Sequence, residues 1–339
     1  MMISYLFEFL LVLLLIIANT TLSAYIPQFS PSFGKQIMKE NAWKNKLDSQ
    51  LSSTEIQNLS QIKKFLSDFG YLKQDVEWFD NVLDNETISA IKTYQQNFNL
   101  KVTGNITIEV LKHMSFPRCG VPDLNLDNGF DTPNVAWPKG NKWFPKGKKN
   151  LSYGFLPGSE ISLEMMIVLK NALTRWSKAT KVISFTETKY DDADIKFGFY
   201  YFGNRTEDVI VGYTFIISQQ NSKRKSGEIC FDGSESWVLP NDDHIWSWQI
   251  DFETVAMHQI GHLLGLDHSF DEESVMYPTI LPSQPIKVEL TLSDNQNIQQ
   301  LYTQFNPTSG YVRCFSFFGS SYGLSSSLLL GFVFAFLFN

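Results

Sequence analysis

Three of the five histidines in this 339-residue chain lie within eleven positions, from His258 to His268. His258 and His262 are four residues apart, a spacing that places both imidazoles on one face of a helix. Gly265 favours the end of that helix in a left-handed turn, after which the chain doubles back and presents His268. Three neutral imidazoles around an open fourth position are the ligands of a catalytic zinc ion. The spacing therefore predicts a zinc site that activates water.

The pattern H-x-x-x-H-x-x-G-x-x-H, followed by Met276 in SVMYP, resembles the metzincin zinc peptidases. The resemblance implies that His258, His262 and His268 bind the catalytic zinc and that Met276 forms an apolar floor beneath it. In that family a glutamate after the first histidine takes the proton of the zinc-bound water. This chain has Gln259 at that position, and an amide cannot act as a base. We expect metal and peptide binding to survive, whereas turnover falls by roughly 10²–10⁴.

A second motif, PRCGVPD from Pro117 to Asp123, resembles the cysteine switch of the matrix metalloproteinases. The resemblance implies that the thiolate of Cys119 occupies the open zinc position and keeps the proenzyme latent. It also implies an ion pair between Arg118 and Asp123 that holds the loop. A thiolate is a good zinc ligand, and in the fourth position it displaces the reactive water. Taken alone, Cys119 would more readily be interpreted as a disulfide partner or a stray thiol.

Apolar residues recur at three or four positions over residues 53–114, which predicts three short helices around one core. The segments FGYL and AIKTYQQNFNLKVTG resemble the peptidoglycan-binding-like prodomain of matrix metalloproteinases, although an unrelated helical module would show the same periodicity. We assign residues 44–115 to this prodomain. Residues 116–147, rich in proline, glycine and lysine, form the switch and an accessible activation linker. The remaining histidines, His113 and His244, lack ligand spacing and are expected at the surface or at helix caps.

Beyond the linker, alternating apolar residues predict strands near residues 151–155, 183–185, 195–201 and 209–217. A long helix is predicted from Ser159 to Thr180, and Asp251 is expected to cap the helix that carries the first two histidines. With a last helix over residues 293–303, this order indicates an α+β domain over residues 148–306. The resemblance implies a metzincin-like catalytic domain, a mixed twisted sheet with a zinc-site helix. A pocket beside the third helix is expected to select an apolar side chain.

Two further ligand patterns compare differently with the family. Tyr213 and Cys230 stand where matrix metalloproteinases have histidines of a structural zinc site, so we expect that site to be absent. Asp232 and Glu235 match the family's calcium ligands in the pattern FDxxExW, and Asp194 lies in a matching ADI segment. The resemblance therefore implies calcium as a possible second ion, in addition to one catalytic zinc ion.

Both ends of the chain have the pattern of processing signals. The apolar stretch Leu6–Ile17 predicts a secretory signal peptide over residues 1–24. In residues 307–339, small residues at Gly319–Ser321 precede an apolar end, which resembles a glycosylphosphatidylinositol attachment signal. An attachment site nearer Ser309 and a short hydrophobic C-terminal strand are the alternatives. Five Asn-x-Ser/Thr sequons agree with secretion and are candidate glycosylation sites: Asn58, Asn85, Asn105, Asn150 and Asn204.

The net charge of −7 offers no basic surface for nucleic acid. Three cysteines cannot all pair, and a bond between Cys230 and Cys314 would leave Cys119 free for the switch. We expect a monomeric, secreted zinc endopeptidase without a hemopexin-like domain, made as a latent zymogen. It would act on extracellular proteins or peptides, attached to the cell surface by a C-terminal lipid anchor. The alternative is a pseudoprotease that binds zinc and peptides without cutting them. A glycan-binding module rests on fold analogy alone.

Overall fold

The computed structural model of the chain describes residues 59–73, 79–124, 135–138, 143–145, 147–159, 161–202, 209–218, 224–240, 242, 249–280 and 286–303. The predicted signal peptide, the predicted lipid-attachment signal and the third cysteine lie outside the described residues. So do the sequons at Asn58 and Asn204, whereas Asn85, Asn105 and Asn150 are exposed. Within the described ranges, no helix is long and apolar enough to cross a membrane.

Three short helices begin the described chain: α1 (Leu59–Asp68), α2 (Asn85–Asn97) and α3 (Ile108–Met114). The side chains of Asp84 and Thr107 accept hydrogen bonds from backbone N–H groups in the first turns of α2 and α3, and so cap both helices. The apolar faces of the helices meet around Leu66, Ile91 and Tyr94, which are fully buried. The three short helices predicted from periodicity are therefore present.

A mixed sheet organises the rest. Its strands are β1 (Arg118–Cys119), β2 (Val135–Ala136), β3 (Asn150–Phe155), β4 (Ser184–Glu187), β5 (Ile195–Tyr200), β6 (Ile210–Ser218) and β7 (Lys225–Asp232). They lie in the order β1-β6-β7-β5-β3-β4, and β2 also pairs with β6. Strands β4, β3, β5 and β7 are parallel neighbours, and β6 is antiparallel to β7. The outer edge of β6 therefore receives β1 in parallel and β2 in antiparallel orientation.

Three helices and a small strand pair complete this domain: α4 (Leu163–Thr180), β8 (Trp237–Val238), β9 (Ile250–Asp251), α5 (Phe252–Leu263) and α6 (Leu292–Thr303). Helix α4 begins four residues later than predicted, because the side chain of Ser162 caps its first turn. Asp251 caps α5, as predicted. Trp176 in α4 is fully buried and donates its indole N–H to the carbonyl oxygen of Met257 over 2.9 Å. This bond fixes α4 against α5.

Helix α5 lies inside the domain, with all twelve of its residues buried. A helix that is apolar on most of its circumference packs in this way. Gly261 allows a close approach, because a Cβ atom there would lie 2.4 Å from the sulfur of Met276 and 2.9 Å from the ring of Trp176. The helix that carries the histidines is therefore held on several sides by the core.

The prodomain meets the catalytic domain at an aromatic contact around His113. This histidine was expected at the surface or at a cap, but it is 7% exposed. Its Nδ1 atom lies 2.7 Å from the hydroxyl of Tyr94, and its Nε2 atom lies 3.4 Å from the hydroxyl of Tyr277. Phe98 contacts Phe270 and Tyr277 edge-on. The expectation was wrong because Tyr277 lies 164 positions away, beyond the range of a local pattern. The other expected surface histidine lies outside the described residues.

Candidate metal centre

Helix α5 and the turn after it bring three histidines to one point. The Nε2 atoms of His258 and His262 are 3.0 Å apart. Gly265 has φ of 101°, a conformation that favours glycine, and the reversal it allows returns the chain towards the helix. The ring of His268 consequently lies 5.2 Å from that of His258 and 4.6 Å from that of His262, measured between centroids. The arrangement predicted from spacing is the one that the structure adopts.

Two of the rings are oriented by backbone carbonyl groups. Nδ1 of His258 lies 2.9 Å from the carbonyl oxygen of Val275, and Nδ1 of His262 lies 2.8 Å from that of Leu266. Each Nδ1 must therefore carry its proton and donate, which leaves both Nε2 atoms with free lone pairs. Two lone pairs facing each other at 3.0 Å repel unless a cation lies between them. Burial lowers the pKa of His258 to about 3 and holds that of His262 well below its ordinary value, so both rings are in the neutral form that binds metals.

The third ring supplies an unsatisfied nitrogen. Nδ1 of His268 lies 2.8 Å from a carboxylate oxygen of Asp123. Its Nε2 atom is buried and has no hydrogen-bond partner among the described residues. A buried nitrogen without a partner is unfavourable, and a metal ion would provide the missing partner. Burial lowers the pKa of His268, while Asp123 opposes that shift. The three histidines therefore fit a zinc ion both in ligand type and in their unsatisfied atoms.

Cys119 joins the same group from the prodomain side. One ligand atom from each of Cys119, His258, His262 and His268 can be chosen so that all lie within 4.8 Å of one another. In the part of the chain that the structure describes, no other three histidine, cysteine or acidic side chains converge in this way. Burial raises the pKa of the Cys119 thiol to about 12, although hydrogen bonds from Val121 and Gln259 oppose the shift. A bound cation would oppose it much more strongly, because coordinated thiols are deprotonated.

The segment that carries Cys119 is bonded along both of its edges. On one side β1 pairs in parallel with β6, and Gly120 donates its N–H to the carbonyl of Gly212 over 2.9 Å. On the other side Cys119 donates its N–H to the carbonyl of Pro278 over 2.9 Å, and Ile280 donates to the carbonyl of Pro117 over 2.8 Å. An extended peptide therefore fits between β6 and residues 278–280, and the switch segment holds that place.

A buried ion pair secures the loop around Cys119. Nη2 of Arg118 lies 2.5 Å from Oδ1 of Asp123, and both side chains are buried. The hydroxyl of Tyr71 donates to Oδ2 of Asp123 over 2.8 Å, and the guanidinium of Arg118 lies 3.4 Å from the ring centre of Phe69. Burial alone would raise the pKa of Asp123, but Arg118 and His268 hold it below its ordinary value. The pair predicted by resemblance thus extends into the prodomain helices and to a metal ligand.

Gln259 occupies the position after the first histidine and is fully hydrogen-bonded. Its amide nitrogen donates to the sulfur of Cys119 and to the carbonyl oxygen of Gly212, each over 3.2 Å. Its amide oxygen accepts from the hydroxyl of Thr214 over 2.6 Å. The spacing of the motif identified Gln259 as the replaced base, but it gave no sign of these bonds. Thr214 and Gly212 belong to β6, and the packing of β6 against α5 brings them here.

Met276 lies against the helix that holds the ligands. It is 2% exposed, and its sulfur is the atom nearest to a Cβ built on Gly261. Its carbonyl accepts a hydrogen bond from Ser269 over 2.9 Å, which joins the turn to the chain just after His268. Met276 therefore braces the histidine helix and the loop that presents the third ligand.

Cys230 belongs to no group of histidine, cysteine or acidic ligands among the described residues. Tyr213 and Cys230 are cross-strand partners in β6 and β7, and both are buried. The ring of Tyr213 stacks on Trp137 and covers Gly120, where a Cβ atom would lie only 2.1 Å from the ring. Tyr213, which the family resemblance identified only as the replacement of a zinc ligand, thus packs against the switch segment. Cys230 is a buried thiol, and the cysteine suggested as its partner lies outside the described residues.

The three acids suggested as calcium ligands do not form a common ligand group among the described residues. Asp194 lies 2.5 Å from the ammonium of Lys148 and accepts hydrogen bonds from the N–H and the hydroxyl of Ser152 over 2.8 Å each. Oδ1 of Asp232 accepts from the N–H and hydroxyl of Ser234. The acids do not converge with Glu235 on one point within the described ranges. Calcium binding stays a prediction.

These features define a zinc-metallopeptidase scaffold. They are a mixed sheet, a buried helix with two histidines, a third histidine beyond a glycine turn, and a methionine against that helix. Comparison with protein families agrees with this class. The matrixin family matches residues 142–303, and a peptidoglycan binding domain family matches residues 56–114. The chain belongs to the matrixin family of zinc metalloendopeptidases.

Individual relatives support the same conclusion. Metalloendoproteinase 5-MMP of Arabidopsis thaliana is 34% identical over 282 residues, which cover 78% of this chain and 76% of the relative. Metalloendoproteinase 1 of Glycine max is 33% identical, with 72% of this chain and 81% of the relative covered. Neutrophil collagenase of Homo sapiens is 32% identical over 64% of this chain and 44% of its own length. The predicted family, fold class and enzyme class are therefore confirmed.

Proposed function

We propose that the chain is a secreted zinc metalloendopeptidase, made as a latent zymogen, that hydrolyses peptide bonds of extracellular proteins. The observation that carries the proposal is the convergence of Cys119 with three histidines, where the thiol arrives on its own edge strand. A thiolate in the fourth ligand position keeps water and substrate away from a metal ion. Cleavage within residues 116–147 would release the strand and open that position.

The chain's own residues prepare the site for a peptide. When bound, zinc supplies Lewis-acid activation of water and of the scissile carbonyl. His258, His262 and His268 would hold it, the first two oriented by carbonyl acceptors. The outer edge of β6 and the backbone of residues 278–280 would hydrogen-bond an extended substrate, as they now bond the switch segment.

A catalytically impaired, zinc- and peptide-binding pseudoprotease is the second candidate, and Gln259 is the observation that favours it. Its amide can orient a water molecule but cannot accept a proton from it. Among the described residues, the ligand group of Cys119 and the three histidines includes no carboxylate. Loss of a general base typically lowers the rate by roughly 10²–10⁴. The intact ligand set and the buried switch favour an enzyme of reduced rate over an inert domain.

The experiment compares the full chain with its Gln259→Glu variant. Both are loaded with zinc, matured by limited tryptic cleavage in the lysine-rich linker, and assayed with a quenched peptide. We expect one zinc ion per chain in both proteins and a rate in the parent lower by roughly 10²–10⁴. Equal rates would contradict the role assigned to Gln259. Bound zinc without turnover in either protein would favour the pseudoprotease, and absence of zinc from both would overturn both candidates.

The remaining sequence predictions complete this proposal. Matrixins are extracellular enzymes, and we propose that residues 1–24 direct secretion and that residues 307–339 direct lipid attachment at the cell surface. The proposed division is a prodomain over residues 44–115, a switch and linker over 116–147, and a catalytic domain over 148–306. The exposed sequons are compatible with glycosylation. The protein is proposed to act as a monomer, and calcium would raise its thermal stability if bound.

A further inference from the structure

A pocket lies directly beside the metal centre. Cys119, His258 and Gln259 form its end nearest the metal ligands, and Lys287 contributes to its lining. The walls between them are mainly apolar, with contributions from Val211, Val255 and Ile280. Once the switch segment has left its place between β6 and residues 278–280, a substrate side chain next to the scissile bond would enter the pocket.

Lys287 places a positive charge in this pocket. Its ammonium nitrogen lies 4.8 Å from the ring centre of Tyr277, a cation–π contact. Its backbone N–H donates to the hydroxyl of Thr254 in α5 over 3.0 Å. These two contacts fix the residue relative to the helix that carries the histidines.

The charge of Lys287 has no carboxylate partner within ion-pair distance among the described residues. The nearest acids, Asp271, Glu272 and Glu273, are exposed and act on it from longer range. Asp294 acts in the same way, but its carboxylate already accepts hydrogen bonds from its neighbours. Burial lowers the pKa of Lys287, and these acids oppose the shift. Within the described part of the chain, the pocket therefore holds a half-buried cation that has no carboxylate at ion-pair distance.

A ligand side chain with an aliphatic stem and a terminal carboxylate satisfies both features of the pocket. We infer that Lys287 determines specificity, and that the pocket selects a glutamate side chain next to the scissile bond. The stem packs on the apolar walls and the carboxylate meets the Lys287 ammonium. A charge-assisted hydrogen bond in such surroundings is stronger than one in water. This inference rests on the proposed peptidase function, and it differs from the apolar preference expected from the sequence.

The experiment measures binding, so that it does not depend on the turnover that Gln259 reduces. Full-length chain is loaded with zinc and matured by cleavage in the linker. Four peptide hydroxamates are compared, identical except for glutamate, glutamine, leucine or glycine at the residue that enters the pocket. Their dissociation constants are measured for the parent, for Lys287→Met and for Lys287→Arg. The matched control must lose one positive charge far from the pocket and must remain in the protein after maturation. Lys225→Met meets both conditions, because Lys225 is an exposed residue of the catalytic domain.

In the parent and in Lys225→Met, we expect the glutamate compound to bind about tenfold more tightly than the glutamine compound. This difference in affinity, called the gap below, should decrease with added salt. Lys287→Met should abolish the gap and favour leucine, whereas Lys287→Arg should keep it. Equal binding of the glutamate and glutamine compounds to the parent would overturn the inference. So would a gap that persists in Lys287→Met.

Failure of the proposed function has a different signature. A hydroxamate binds zinc through its own oxygens, so even a compound with glycine at the pocket position should bind the matured, zinc-loaded protein. If that glycine compound fails to bind, the metal site itself is wrong and the specificity falls with it. If it binds but the glutamate compound gains nothing over glutamine, only the role of Lys287 is wrong.

Discussion

The amide nitrogen of Gln259 donates a hydrogen bond to the sulfur of Cys119 over 3.2 Å. The same nitrogen donates to the carbonyl of Gly212, and the amide oxygen accepts from Thr214. An ionised glutamate in this place would direct negative charge at the Gly212 carbonyl and at a thiolate, in a buried setting where such contacts are costly. In the proposed zymogen, Gln259 would therefore both replace the general base and stabilise the latent arrangement.

Replacing Gln259 by glutamate should weaken latency as well as restore a base. In the uncleaved, zinc-loaded chain, we expect Cys119 to react with a thiol reagent about tenfold faster in Gln259→Glu than in the parent, as measured by peptide mapping. The isosteric Gln259→Met variant, which lacks both hydrogen bonds and charge, should lie between them. A slower reaction in Gln259→Glu would contradict the role given to the amide.

Gly120→Ala should open the switch without touching a metal ligand. A Cβ atom at this position would lie 2.1 Å from the ring of Tyr213, which is itself buried and stacked on Trp137. Such overpacking typically costs about 1–3 kcal/mol. We expect a chelator to extract zinc from the uncleaved variant at least several-fold faster than from the parent. The double variant with Tyr213→Ala removes the obstructing ring and should recover slow extraction; if it does not, the clash is not the cause.

Asp123→Asn should be the most disruptive single change in the loop around Cys119. It leaves the guanidinium of Arg118 buried without its carboxylate, and breaking a buried pair in this way costs about 3–5 kcal/mol. The matched control is Tyr71→Phe, which removes one hydrogen bond to the same carboxylate, worth about 0.5–1.5 kcal/mol. Urea unfolding of the uncleaved chain measures both. Comparable losses in the two variants would mean that the ion pair contributes little.

Local sequence was sufficient for the ligands and for the elements that carry them. The four-residue spacing of His258 and His262, the cap at Asp251 and the turn at Gly265 all act within one helix and its ends. Each depends on contacts between residues close in the chain, and each was predicted correctly. Cys119 was found through its motif, because no local rule connects it with a helix 140 positions later.

The features that could not be predicted from the sequence depend on contacts between segments that are distant in the chain. Tyr213 was noted only as a lost ligand, since its packing on Gly120 requires the parallel pairing of β1 with β6. The charge of Lys287 belongs to the pocket only because its backbone is tied to Thr254. Hydrophobic periodicity reports which face of an element is buried, but it does not report what that face meets.

Acid should loosen the docking of the prodomain through His113. Burial lowers the pKa of this histidine from 6.5 to about 4 where it packs between Tyr94 and Tyr277. Among nearby charges, Arg118 opposes its protonation and Asp123 favours it. Since the released or unfolded state takes up the proton first, docking is fully stable above pH 6.5 and loses stability as the pH falls from 6.5 towards 4.

The shift corresponds to about 3 kcal/mol over that range, and below pH 4 this contribution does not change further. The measurement is urea unfolding of the uncleaved chain between pH 7.5 and roughly pH 4, for the parent and for His113→Phe. Phenylalanine keeps an aromatic ring in the contact but cannot titrate. Other acids titrate in both proteins, so the difference between them isolates His113. We expect the parent to lose more stability than the variant on acidification; parallel curves would mean that His113 does not couple docking to pH.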